Sequence, residues 1–162
     1  MIINKKMQEY LAELDRLLQG ETYSIELPGY EYVIFPQFIE WNECVLLEND
    51  ETDSLPASFK PTTFIPDRTG FEANHNHVHL NDLIEVTEDH PNEVLRIALK
   101  IMRLWEAGLY KEFHKTKKLL LILTFDGEDA VLRFHAIRET EPPWLNIESL
   151  DSFLEGVLLV EI

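Results

Sequence analysis

A chain of 162 residues, 45% hydrophobic and 27% charged, is long enough to build one domain around a packed core and too apolar to be disordered throughout. Its 30 acidic residues against 14 basic ones give a formal charge of −16, a field that repels nucleic acid and anionic membranes and draws in cationic partners. A single cysteine, Cys44, rules out an internal disulfide framework and fits a reducing compartment.

The opening MIINKKMQEY has no long apolar core after its lysines and so does not read as a signal peptide, and no run approaches the ~18 apolar residues of a membrane span. A cytoplasmic location is expected. The charge is unevenly spread. Residues 21–93 hold sixteen acids and two bases, residues 94–118 seven bases and two acids, and residues 119–162 nine acids and two bases.

From Asn4 to Gln19, Met7, Tyr10, Leu11, Leu14, Leu17 and Leu18 recur at spacings of three and four, one stripe of an amphipathic helix that Asn4 can cap and Gly20 can close. Thr22 to Leu27 alternates, Pro28-Gly29 signals a turn, and Tyr30 to Phe35 reads as a second strand, so a hairpin is expected there. Phe38 to Leu47 is a third β-like run, interrupted at Asn42, and Cys44 within it is expected to be buried. Glu48 to Pro66, with clustered polar residues and three prolines, reads as an extended loop. Its residues Glu48, Asp50, Glu51 and Asp53 make it a local focus of negative potential and a candidate partner-binding loop; a solvated surface loop is the plainer alternative.

Pro91 to Phe113 is the strongest helix signal. Val94, Leu95, Ile97, Ala98, Ile101, Met102, Trp105 and Leu109 form its apolar face, with acids early and bases late. Arg96, Lys100, Arg103 and Lys111 on its polar side are expected to pair with the chain's own acids. Lys117 to Arg138 is the clearest hairpin, with Leu119 to Phe125 apolar enough to be covered on both faces and Asp126-Gly127 at the turn. In the second strand Leu132, Phe134 and Ala136 share one face. Val131, Arg133, His135 and Ile137 share the other, which is therefore partly polar. After Pro142-Pro143, Asn146 to Phe153 is expected to form a short helix and Val157 to Ile162 a last strand. The whole reads as a single α+β domain, 1–162, with a mostly antiparallel sheet on which an N-terminal helix and a long central helix pack.

Candidate chemistry is sparse. His75, His77 and His79 would project to one side of an extended strand, and three histidines are a known zinc ligand set, with Asp82 or Glu72 behind them. Alternate strand positions stand about 7 Å apart, so one metal would need a further ligand from elsewhere, such as His90 or His135. This row is the basis of an alternative reading as a zinc-dependent hydrolase or metal-binding module. Otherwise its histidines bond backbone or water. No G-x-S-x-G elbow or phosphate-binding glycine loop occurs, and Asp126-Gly127-Glu128-Asp129 lacks the ligand series of an EF-hand. Trp144, close to Arg138, Glu139 and Glu141, is a candidate partner contact, as are Arg133 and His135 on their mixed face.

The segment LRFHAIRETEPPWLNIESL and the terminal VLLVEI, in an acidic α+β chain with one cysteine, resemble the tails of bacterial immunity proteins of polymorphic-toxin systems. The resemblance covers the last third of the chain and transfers no individual residue. It implies a protein without catalytic activity or cofactor that binds a basic, nuclease-like toxin domain and blocks it.

Overall fold

The computed structural model describes residues 1–17, 30–83 and 92–162. The strands are β1 (Ile2–Ile3), β2 (Phe38–Trp41), β3 (Cys44–Leu47), β4 (Val78–His79), β5 (Leu119–Phe125), β6 (Ala130–Ala136) and β7 (Gly156–Glu161). Helices are α1 (Lys5–Leu17), α2 (Glu31–Ile34), α3 (Arg68–His75) and α4 (Asn92–Phe113). Among the described residues one antiparallel sheet of five strands runs β1-β7-β5-β6-β4, and β2 and β3 form a separate hairpin. The fold is α+β. No helix among these residues is long and apolar enough to cross a membrane.

The hairpin expected from residues 117 to 138 is the centre of this sheet. β5 and β6 pair from Leu119↔Ala136 to Phe125↔Ala130. Gly127, at φ +112°, supplies the backbone geometry of the turn, and the Asp126 carboxylate accepts the amides of Glu128 (2.9 Å) and Asp129 (2.8 Å). Because side chains alternate, Leu119, Leu121, Leu123 and Phe125 face one way with Leu132 and Phe134, and α1 and α4 cover them. Each such side chain contributes about 1.5–3 kcal/mol on burial. The expected strand at the carboxy terminus is β7, which lies between β1 and β5.

Asn4 does more than cap a helix. Its side-chain oxygen accepts the amides of Met7 and Val157, both at 2.9 Å, while its amide donates to the carbonyls of Leu150 (3.1 Å) and Glu155 (2.9 Å). It therefore fixes α1 to the start of β7. Gly156 makes the close approach possible, since a Cβ there would stand 3.1 Å from the Met7 Cα.

Three expectations are corrected. Tyr30 to Phe35 is not a strand but the single turn α2, in which Val33 is buried, Tyr32 and Phe35 are exposed, and the Val33 carbonyl accepts the Trp105 indole N–H at 2.6 Å. Six residues, all apolar or aromatic except Glu31, fit one turn of helix with one buried position equally well, and the contact with α4 decides. The other half of that expected hairpin, with the closing Gly20, lies outside the described residues. Phe38 to Leu47 is not one run but two strands around Asn42 (φ 49°) and Glu43 (φ 69°). Arg68 Nε donates to the Asn42 carbonyl (2.8 Å) and Arg138 Nη2 to that of Glu43 (2.9 Å), which holds this left-handed pair without a glycine. Third, His75-Asn76-His77-Val78-His79 is not an extended strand. His75 ends α3, Asn76 is its C-cap, and the strand is Val78 and His79 alone. The expected short helix after Asn146 is a 3₁₀ segment, Ile147–Ser152.

α3 is the joint of the molecule. Asp67 accepts the Gly70 amide at its N-terminus, and Glu141 accepts the Thr69 amide and hydroxyl, each at 2.7 Å. Four residues apart on one face, Glu72 and Asn76 reach between β3 and β6. The Glu72 carboxylate takes the amides of Val45 and Ala136, both at 2.7 Å, and Asn76 bonds the Leu47 amide and the carbonyls of Val45 and Phe134. Two side chains thus satisfy backbone groups that would otherwise be buried and unpaired.

Candidate functional site

The opposite face of the sheet is covered incompletely. Leu120, Ile122, Val157 and Leu159 are buried there under Leu150, with Leu145 and Phe153 packed against them. The chain between Glu141 and Glu155 supplies this cover, and two clefts remain along the sheet, with Trp144 and Leu145 lining both.

The first, of about 230 Å³, has Leu120 and Leu159 as an apolar floor with His135 beside them, and Ile137, Trp144 and Ile147 toward its mouth. His135 is 3% exposed. Its Nδ1 lies 3.0 Å from the carbonyl of Ala136, so Nδ1 carries the proton, and Nε2 is a buried acceptor with no partner among the described residues. Burial is the main cause that pulls its pKa down, opposed by the bond to Ala136 and the charge of Glu72. Thr69, Arg138 and Glu141 at this cleft are occupied. Arg138 makes a bidentate pair with the fully buried Glu72, at 2.6 and 3.0 Å. Burial opposes the charge of Arg138, and the bonds to Glu72 outweigh it, so its pKa rises. Burial likewise opposes the charge of Glu141, and the hydrogen bonds from Thr69 outweigh it and hold its pKa low.

The second cleft, of about 350 Å³, is lined by His79, Thr124, Asp126, Asp129, Arg133 and Glu155 beside the shared pair. The Arg133 guanidinium lies over the Trp144 ring at 5.7 Å and makes no hydrogen bond or ion pair with a carboxylate among the described residues. Burial pulls its pKa down and the charge of Glu155 opposes the shift. His79 Nδ1 is 2.6 Å from Asp129 Oδ2, whereas Asp129 Oδ1 is buried without a partner among the described residues. No serine or cysteine is among the described residues lining either cleft.

A family model matches residues 2–162. The chain belongs to the uncharacterized protein PM0498 family. No curated protein and no solved structure matches this member of the family.

Of the residues singled out in the sequence, Arg133, His135 and Trp144 come together on this face. Glu48, Asp50, Glu51 and Asp53 are exposed, but they follow β3 and line neither cleft. The histidine row is broken. The His75 side chain is buried, stacked on Phe71 with Nε2 3.1 Å from the Leu47 carbonyl, while His77 Nδ1 lies 2.5 Å from the Asn74 carbonyl and His79 bonds Asp129. His77 and His79 meet edge-on, 5.5 Å between centroids, and His75 does not join them. Among the described residues no three metal-ligating side chains are grouped to hold an ion. His90 lies outside the described residues, and His135 is in the first cleft. Cys44 is fully buried, its thiol pushed up to about 12 by burial first and then by the charge of Glu72. On α4, Arg96 bonds Glu93, whereas Lys100, Arg103 and Lys111 are exposed.

Sequence reasoning missed Asp129, Glu155 and Leu145. Leu145 and Glu155 are set in the clefts by where the 141–155 segment crosses the sheet, and Asp129 is held by its bond to His79, 50 positions away; no local pattern encodes either.

Proposed function

We propose that the protein is a non-enzymatic binding protein that docks a basic protein partner on the incompletely covered face of its sheet, around Trp144. The observation that carries this reading is an exposed tryptophan, 40% accessible, between two clefts that Asp126, Asp129, Glu141, Glu155 and Glu161 line, in a chain of charge −16. Aromatic anchors inside a charged rim are how protein interfaces concentrate affinity, and the rim's potential raises the association rate with a partner of opposite sign. An immunity protein that covers the active surface of a cationic, nuclease-like toxin domain is the specific form this takes, in agreement with the resemblance of the carboxy-terminal third.

The reading is tested by affinity capture from the native cell with wild type and Trp144→Ala in parallel, followed by binding kinetics on the captured protein. A basic protein is expected, with an on-rate that falls about ten-fold or more as salt rises from low to high ionic strength. Trp144→Ala should weaken binding by about 2 kcal/mol or more. Salt-insensitive association, or equal capture by the variant, overturns the reading. For the immunity form, the captured protein must lose its own activity when the complex forms.

A further inference from the structure

We infer that the His135 cleft receives a tyrosine side chain of the docked partner, ring first, with the phenol O–H donating to His135 Nε2. This rests on the docking reading above and specifies the partner's chemistry. Size argues first. At about 230 Å³ the cleft is below the ~300–1,000 Å³ typical of sites for drug-sized ligands and cofactors, and a single aromatic side chain suits it better.

Chemistry argues second. The floor is apolar, from Leu120 and Leu159. Thr69, Arg138 and Glu141 at its edge are already bonded to one another and to Glu72. Among the described residues the buried His135 Nε2 has no partner, and a neutral imidazole protonated at Nδ1 can accept but not donate there. The complement is therefore a flat apolar group with one donor. In tyrosine that donor sits at the far tip of the ring, so it reaches the sheet when the ring enters from the rim; the indole N–H of tryptophan lies nearer its own backbone. Phenylalanine would fill the space and leave Nε2 buried and unpaired, a cost that separates the two rings. Around the mouth, Trp144 and Ile147 offer apolar contact, and Glu161 adds the negative charge that suits a basic partner.

The test uses the isolated protein and side-chain surrogates: p-cresol for tyrosine, toluene for phenylalanine and 3-methylindole for tryptophan. Each is titrated into ¹⁵N-labelled protein while the His135 ring nitrogens are followed by NMR. The expected result is binding of p-cresol about five- to ten-fold tighter than toluene, with the largest shift at His135 Nε2. His135→Phe should bring the two affinities together. If that variant does not fold, the comparison of ligands on the wild type stands by itself. No p-cresol binding, equal binding of toluene, or tighter binding of 3-methylindole each overturns the assignment. Loss of p-cresol binding while a partner still docks in a salt- and Trp144-dependent way defeats this inference and leaves the docking reading intact. Binding of p-cresol with no basic partner defeats the docking reading, and the tyrosine falls with it.

Discussion

The two faces of β6 belong to the same seven residues and have opposite fates. Leu132, Phe134 and Ala136 meet α4, β5 and the β2–β3 hairpin, and every one is buried among apolar neighbours. Val131, Arg133 and His135 look toward a cover that is incomplete, and neither His135 Nε2 nor the Arg133 guanidinium has a hydrogen-bond partner within the described residues. The first face is closed by packing. The second keeps desolvated polar atoms, which cost free energy unless something outside the chain meets them. That is why function is placed on the second.

The largest expected effect breaks the closed face. Phe134 is fully buried, edge-on to Phe38 at 5.6 Å and to Trp105 at 6.1 Å between centroids. Phe134→Ala should cost about 3–5 kcal/mol in urea unfolding. A loss below about 1 kcal/mol would mean that this face is not the core.

Two arginines sharpen the comparison. Arg138 neutralises a carboxylate with no exposure, so Arg138→Met leaves Glu72 buried and uncompensated, and a loss of about 3–5 kcal/mol is expected. Arg133 is partly desolvated and has no carboxylate bonded to it, only the face of Trp144. Arg133→Met keeps the length of the side chain and removes the charge, so stability should stay within about 1 kcal/mol of wild type. Equal losses from the two substitutions, measured by the same unfolding curves, would show that Arg133 is as structural as Arg138.

The closed face was legible in the sequence because its signals are local. Alternation on either side of Asp126-Gly127 marks the central hairpin, and the spacing of Val94 to Leu109 marks α4. The polar side of β6 was legible for the same reason, as Arg133 and His135 differ by two. The joint at α3 was not. Glu72 and Asn76 bond strands that lie far from them in the chain, and a window around NHNHVHL reads as a strand until those bonds are known. Likewise nothing near Asn42 and Glu43 announces a left-handed turn, because Arg68 and Arg138 hold it through bonds that span 26 and 95 positions. Long-range hydrogen bonds, not propensity, decide both places.

The smallest expected effect is a slope, and it tests the state of His135 directly. Burial holds its folded-state pKa below the ordinary imidazole value of 6.5, with Glu72 opposing that shift and Arg138 and Arg133 reinforcing it. Below pH 6.5 the unfolded chain therefore binds a proton that the folded chain refuses, so stability is complete above that pH and declines as pH falls through the window beneath it. The carboxylates with lowered pKa, Glu141 and Asp151, lose their contribution only at more acidic pH. Subtracting the stability-against-pH curve of His135→Phe from that of wild type removes the other histidines and leaves this one. The difference should bend just below pH 6.5, in the sense that wild type weakens more. A flat difference would mean that His135 takes up its proton as easily folded as unfolded, and Nε2 would not be the empty acceptor on which the tyrosine assignment depends. Binding of p-cresol should persist through that window and fade only at its acidic end, where the folded protein at last protonates His135 and Nε2 has no lone pair left to offer.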